Sequence, residues 1–373
     1  IELDAGWNIP PGVDYSLEVD GDYRFDPQRF PNAKEMIKEM HAAGQRVILH
    51  VAPLVMGRRT RSYAAGMKDC VTRVKGQETN YLDPRLAKTH EFLLAAWEGM
   101  FRDYDIDGLW YDFLEVAGGI DPPPAGMAVV CRDPDEAYTL LLEKLALQAR
   151  REKSDALIIM RRGSANHNAK RFCTHVWPMD TPQDYNMNRR DVVYLKTLGQ
   201  GVLTHACCTS WAISESDLNV SRQMASVVLA GVPAFSVKLA ESPATHNEII
   251  RQWLAFYEKH KRPLVQGEMT PLLPTPASAA VRIEAPDEAF FGLFEAAPGV
   301  LPLTRPVRRV TIVNAFSNQI AGRLEGVDGT WRAERFDHRW QPLGSRALKS
   351  EDGGVTLHER SDGACFSVVL TRE

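Results

Sequence analysis

Apolar residues over the first two thirds of the chain alternate between two spacings. Met36, Ile37 and Met40 share one helical face, and Leu86, His90, Leu93, Leu94, Trp97, Phe101 and Tyr104 form another stripe at intervals of three and four. Asn32-Ala-Lys-Glu35 reads as a capping box opening the first helix and Gly44 as its stop, while Asp83-Pro84 suits the start of the second. Further helical stretches fall around 135–152, 186–199, 215–230 and 245–261. Between them lie short, largely unbroken apolar runs at 1–4, 46–50, 108–112, 156–160, 172–176, 201–206 and 233–238. Runs of that kind suit parallel strands covered on both faces.

Strand and helix in repeated alternation predict a parallel sheet, and the length of the series favours a (β/α)8 TIM barrel over an open doubly wound sheet. No GxGxxG or P-loop supports the open alternative. From residue 269 to 373 the helical period is gone, and runs such as Val310 to Asn314, Thr330 to Phe336, Gly354 to His358 and Cys365 to Leu370 predict a C-terminal β-sandwich domain. Residues 1–268 thus hold only seven strand candidates. An open barrel would carry unpaired edges, so the expectation is a barrel lacking its first strand. An upstream domain or a second chain would complete it, and a homo-oligomer is left open.

Composition narrows the chemistry. With 373 residues, a net charge of −4 and 44% hydrophobic residues, nothing attracts nucleic acid or an anionic membrane, and small neutral substrates are favoured. No apolar run approaches the roughly 20 residues of a membrane span. The six cysteines show no CxxC pair and no metal-ligand spacing, so neither a disulfide framework nor a metal site is expected. Unpaired cysteines point to the cytoplasm. No cofactor motif is present.

Asp4, His50, Asp112 and Asp180 each stand at or just past the C-terminal end of a predicted strand, the end at which barrel enzymes assemble their sites. Trp7, Trp110, Trp177 and Trp211 accompany them, offering flat apolar faces to a sugar ring. Two carboxylates facing one ring could act as nucleophile and general acid/base. Each Asp could equally be a turn former or helix cap, and each Trp barrel packing.

Several motifs carry a resemblance. Leu3-Asp-Ala-Gly-Trp7, Arg29-Phe-Pro31 and Tyr81-Leu-Asp-Pro84 are similar in order to segments of family 36 glycoside hydrolases. Asp107-Gly-Leu-Trp-Tyr-Asp112 resembles the nucleophile strand of that family, with wording closer to family 31, and Trp177-Pro-Met-Asp180 resembles the Trp-x-x-Asp that carries the acid/base in both. The ordered match over residues 1–268 resembles clan D, which unites the α-galactosidases of families 27 and 36 with the α-glucosidases of family 31.

The resemblance implies a retaining α-glycosidase in which Asp112 attacks the anomeric carbon and Asp180 protonates the leaving oxygen, and, as in family 36, an N-terminal β-sandwich that this chain is expected to lack. Asp184, on the same loop, is the rival for Asp180. Asp4, Trp7, His50, Trp110, Trp177, Asp184, His205 and Trp211 are implied to bind substrate. So is Arg161 or Arg162, with strand alternation favouring Arg162. The second Asp of the family 36 Leu-Asp-Asp-Gly-Trp is Ala5 here, and the Lys of its nucleophile strand is Trp110, so galactose specificity does not carry over. Glu115 reads as a solvated loop acid. The competing readings are a transglycosylase of the same clan and a catalytically inactive carbohydrate-binding relative. A metal-dependent hydrolase is disfavoured, since His50 and His205 lack a third ligand.

Overall fold

The computed structural model describes all residues except 74–77, 115–119, 162–168, 179, 182–183, 199–201, 275, 277 and 364. The chain divides into two compact units, Ile1–Val176 and Trp177–Glu373. The fold is a TIM-barrel domain of βα repeats followed in sequence by an all-β sandwich.

The first unit runs β1 (Glu2–Leu3), α1 (Ala33–Ala42), β2 (Ile48–Val51), α2 (Arg61–Ala64), β3 (Val71–Arg73), β4 (Asn80–Leu82), α3 (Ala87–Tyr104), β5 (Gly108–Tyr111), α4 (Pro134–Glu152), β6 (Leu157–Arg161) and α5 (Ala169–Phe172). Strands β1, β2, β5 and β6 pair side by side in parallel, with β1 at the edge. Every residue of β2 and β5 is buried, as strands covered on both faces require. β5 approaches β6 so closely that a Cβ on Gly108 would lie 2.3 Å from the Leu157 carbonyl oxygen, so only glycine fits there. The odd positions of β5 face the helices. Tyr111 packs edge-on to Trp97 of α3 and accepts a 2.7 Å hydrogen bond from its indole N–H. Alternation therefore turns Trp110 and Asp112 to the opposite, concave side.

Several expected details differ. Asn32 precedes α1 without a side-chain cap, because its backbone (φ −119°, ψ 40°) departs from the extended conformation capping needs. α3 starts at Ala87, not after Asp83; that buried carboxylate instead takes both Nε and Nη2 of Arg85, a charge-assisted fork stronger than a cap bond. Phe172 closes a helical turn, and the strand follows it at β7 (His175–Trp177). β3 and β4 form a hairpin that the apolar pattern did not announce. At the N-terminal end of β5, Asp107 accepts from His41, Lys153 and the Val47 N–H at 2.7–2.8 Å.

The second unit holds α6 (Tyr185–Leu198), β8 (Leu203–Thr204), α7 (Asp217–Ala230) and α8 (Ala244–Gln266). The strand expected at 233–238 survives only as bridges, Val232 to His205 and Phe235 to Thr209, since Pro233 between them has no N–H to give a ladder. Among the described residues ten strands follow: β9 (Glu268–Pro271), β10 (Ala280–Glu284), β11 (Glu288–Leu293), β12 (Val300–Pro302), β13 (Arg309–Asn314), β14 (Gln319–Glu325), β15 (Thr330–Asp337), β16 (Pro342–Lys349), β17 (Gly354–Arg360) and β18 (Phe366–Arg372). Seven form one sheet in the order β16-β15-β18-β13-β11-β10-β9, and β12-β14-β17 form another. Phe291, Ile312, Leu324, Trp331, Leu357 and Val368 belong to the core these strands share. A second core joins α7 and α8 to β11 through Met224, Trp253, Phe256 and Phe290. Among the described residues no helix is long and apolar enough to cross a membrane.

Candidate active site

Asp112 emerges one step beyond the Tyr111–Met160 pair of β5 and β6, which sets it level with Arg161. Arg161 donates from Nη1 to Asp112 Oδ1 at 2.9 Å, and the Phe113 N–H donates to the same oxygen at 2.8 Å. His50 Nε2 stands 3.6 Å from Oδ2, a close polar approach just beyond hydrogen-bond length. The carboxylate is 8% exposed. Burial works against its charge, but His50, the Phe113 N–H and the Arg161 guanidinium outweigh it and hold the carboxyl below the ordinary carboxylate range. Asp112 is thus an ionised, oriented and partly dehydrated carboxylate.

The residue after it is under strain. Phe113 has φ 51°, a left-handed conformation that costs a non-glycine residue about 1–2 kcal/mol. That turn is what aims the Phe113 N–H back at Asp112. Its ring lies 6.4 Å from His50, and Trp110 meets His50 edge-on at 5.6 Å. His50 is buried, so Trp110, His50 and Asp112 form one continuous patch on the concave face of the first unit.

Asp4 is exposed at the end of β1 and its Oδ1 accepts from the Ala5 N–H. Trp7 is buried, with its indole N–H donated to the His50 carbonyl at 2.7 Å and its ring packed on Phe25. It anchors the backbone of His50. Between these two candidates and α1 runs a loop in which Tyr15 donates to Asp20 at 3.0 Å. No periodicity or motif marks this pair, which sits in a Gly/Pro/Asp-rich stretch. Arg161 contacts Asp112, while Arg162, expected to bind substrate, and Glu115 lie outside the described residues.

In the second unit, Trp177 is buried at the end of β7 and Asp180 is exposed just beyond it. Thr181, next to Asp180, donates its N–H to the Cys207 thiol at 3.4 Å, and burial pushes that thiol's pKa up. Asn188 clamps Cys207 from both sides, donating to its carbonyl at 2.7 Å and accepting from its N–H at 3.0 Å. Asn188 was not foreseen, although its place one turn into α6 after Asp184 is a helical spacing. Asp184 accepts from the N–H groups of Asn186 and Met187 at 3.1 and 2.9 Å, so it caps α6. His205 is buried in a bridge to Val232, and Trp211 packs against the α7–α8 core. Among the described residues no group of three or more His, Cys, Asp or Glu side chains is disposed to hold a metal.

A buried, cation-paired carboxylate at the C-terminal end of a parallel strand, in a TIM barrel with a β-sandwich after it, defines a glycoside hydrolase barrel. Residues 3–255 match the TIM-barrel domain of the glycosyl hydrolases family 31, and the chain belongs to that family. A probable alpha-glucosidase of Oryza sativa subsp. japonica is 27% identical over 141 residues, covering 33% of this chain and 15% of the rice protein. Among solved structures, the GH36 alpha-galactosidase AgaA of Geobacillus stearothermophilus, in complex with raffinose, shares the fold at a TM-score of 0.67 and 15% identity, over 99% of this chain and 50% of that one. The alpha-amylase of Geobacillus thermoleovorans, complexed with acarbose, does so at 0.64 and 12%, over 98% and 86%. The chain thus spans a minor part of the rice protein and half of the alpha-galactosidase.

Proposed function

We propose that this chain is the catalytic part of a retaining α-glycosidase acting on terminal α-linked sugars of glycosides or oligosaccharides, with Asp112 as nucleophile and Asp180 as general acid/base. The observation that carries the reading is the state of Asp112: buried, ionised and oriented by Arg161 and the Phe113 N–H at the C-terminal end of β5. A carboxylate so held can attack the anomeric carbon with little reorganisation, forming a glycosyl ester while the glycosidic bond breaks. Asp180 gives its proton to the leaving oxygen as that bond breaks, then takes one from the water that attacks the anomeric carbon and displaces Asp112. Of the two acids on its loop, Asp184 caps α6, a structural task that supports giving the chemistry to Asp180. Trp110 and His50 would line the sugar subsite, and Asp4 would take its hydroxyls.

The test combines turnover and trapping. Aryl α-glycosides of glucose, galactose, N-acetylgalactosamine and arabinose are offered in turn, and the best is followed by an activated fluorosugar of the same configuration. Release of the aglycone, with the added mass of one glycosyl group on the peptide containing Asp112, is expected. Turnover without any covalent adduct, or an adduct on another residue, overturns the assignment.

A further inference from the structure

We propose that the cleft beside the β3–β4 hairpin is a second, non-catalytic carbohydrate site that holds one neutral sugar residue through Thr72, Asn80, Arg73 and Asp121. The proposal stands apart from the glycosidase reading, since none of these residues takes part in the chemistry assigned to Asp112. The cleft has a volume of about 520 Å³, within the range of roughly 300–1,000 Å³ typical of small-ligand sites. The loop after β2 lines it with Arg58 and Tyr63, the hairpin with Thr72, Arg73 and Asn80, and the loop after β5 with Asp121.

Two buried side chains give the cleft its character. Thr72 and Asn80 are 7% and 6% exposed, and neither the Thr72 hydroxyl nor the Asn80 amide nitrogen has a hydrogen-bond partner among the described residues. Nearly all buried polar groups are paired, so two orphans lining one cleft mark a place built for a polar ligand. Arg73 stands directly opposite Asn80 in the antiparallel register, which sets its side chain on the same face as the amide. The frame is fixed: Asp83 takes both Nε and Nη2 of Arg85, at 2.9 and 2.8 Å, and Arg85 also donates to the Asp121 carbonyl. The charge of Asp83 is thereby spent. On the exposed rim, Arg73 and Arg58 are cations, the latter only loosely paired with Glu18 at 3.9 Å, and Asp121 is an anion. A bare anion would meet Asp121 and a bare cation the two arginines, while an apolar group would leave the amide and the hydroxyl unpaired. A sugar satisfies them all, because each of its hydroxyls both donates and accepts, and half-buried Tyr63 offers a flat face to its C–H groups.

The experiment needs no turnover. The whole chain is irradiated with a thio-linked maltose, resistant to hydrolysis, that carries a diazirine at its reducing end, and the labelled peptides are identified by mass spectrometry. Label is expected on the peptides carrying Thr72, Asn80 or Asp121, suppressed by excess maltose and not by the same concentration of inorganic phosphate. Thr72→Val and Asn80→Leu nearly keep the volume of each side chain and remove its polar group. In each variant this label should fall about fivefold, as loss of one neutral hydrogen bond does. The thermal midpoint should stay at or above that of the wild type, because neither orphaned group gives the fold a hydrogen bond to lose. Absence of label from all three peptides, suppression by phosphate, or unchanged label in a variant that folds overturns the proposal. So does a lower midpoint in both variants, which would give the two groups a task within the hairpin. Each of these outcomes leaves the assignment of Asp112 standing.

Discussion

Arg161 and Asp112 occupy level positions on neighbouring strands, and a guanidinium N–H of the first reaches a carboxylate oxygen of the second over 2.9 Å. Because this cation helps keep Asp112 ionised, removing it raises the carboxyl's pKa. A nucleophile must be deprotonated, so the acid limb of kcat/KM in Arg161→Met should move to higher pH than in the wild type. Profiles that superimpose would deny Arg161 this role.

Asp112→Ala should abolish turnover of aryl α-glycosides. Azide, small enough for the vacated space, should restore release and give a glycosyl azide of inverted configuration. Near-normal activity without azide would remove Asp112 from the reaction.

The two acids that follow β7 should separate cleanly. Asp180→Asn should depress turnover of poor leaving groups far more than of dinitrophenyl glycosides, which depart without a proton. Asp184→Ala should instead cost about 1 kcal/mol of stability by uncapping α6, and Asp184→Asn, which caps as well, should not. A steep leaving-group dependence in Asp184→Asn alone would exchange their roles.

Asp107 ties His41, Lys153 and Val47 together at the opposite end of β5 from Asp112. Burial opposes its charge, yet Lys153, the Val47 N–H and His41 prevail and lower its pKa. Its stabilising contribution is therefore complete above the ordinary carboxylate pKa of about 3.9 and fades as pH falls through the lower folded value. Asp107→Asn should lose about 1–3 kcal/mol at neutral pH, approach the wild type in strong acid, and keep its kcat. A variant equally weakened at every pH would contradict the ionic account.

A glycine at position 113 would adopt φ 51° without cost. Phe113→Gly should thus be at least as stable locally while lowering kcat, because the N–H that orients Asp112 is no longer held by a packed ring. Unchanged kcat would show that the backbone turn alone suffices.

Asp112 was legible because an apolar run ending in a carboxylate marks a strand end whatever the fold around it. The contact of Arg161 with Asp112 was not, since alternation within β6 leaves its phase open by one residue, and the level of Arg161 with Asp112 follows only from the pairing with β5. The same limit applied to β16, whose residues are exposed at every position but one and so show no period to read. Tyr15 and Asp20 meet through loop hydrogen bonds, which leave no pattern in composition. Helices were easier: α4, α6 and α7 fall within two residues of the limits their apolar spacing suggested, because each buries one face against a core.

The opposed faces of β5 divide two kinds of change between them. Leu109 and Tyr111 are locked against helices, and Tyr111 is further held by Trp97, so substitution there threatens folding itself. Trp110 and Asp112 face the opposite, concave side, where under the proposed function replacement would alter recognition more than folding. Libraries aimed at new substrates should randomise 110 and leave 109 and 111 alone. One strand can then acquire new selectivity without drawing on the stability that keeps Asp112 in place.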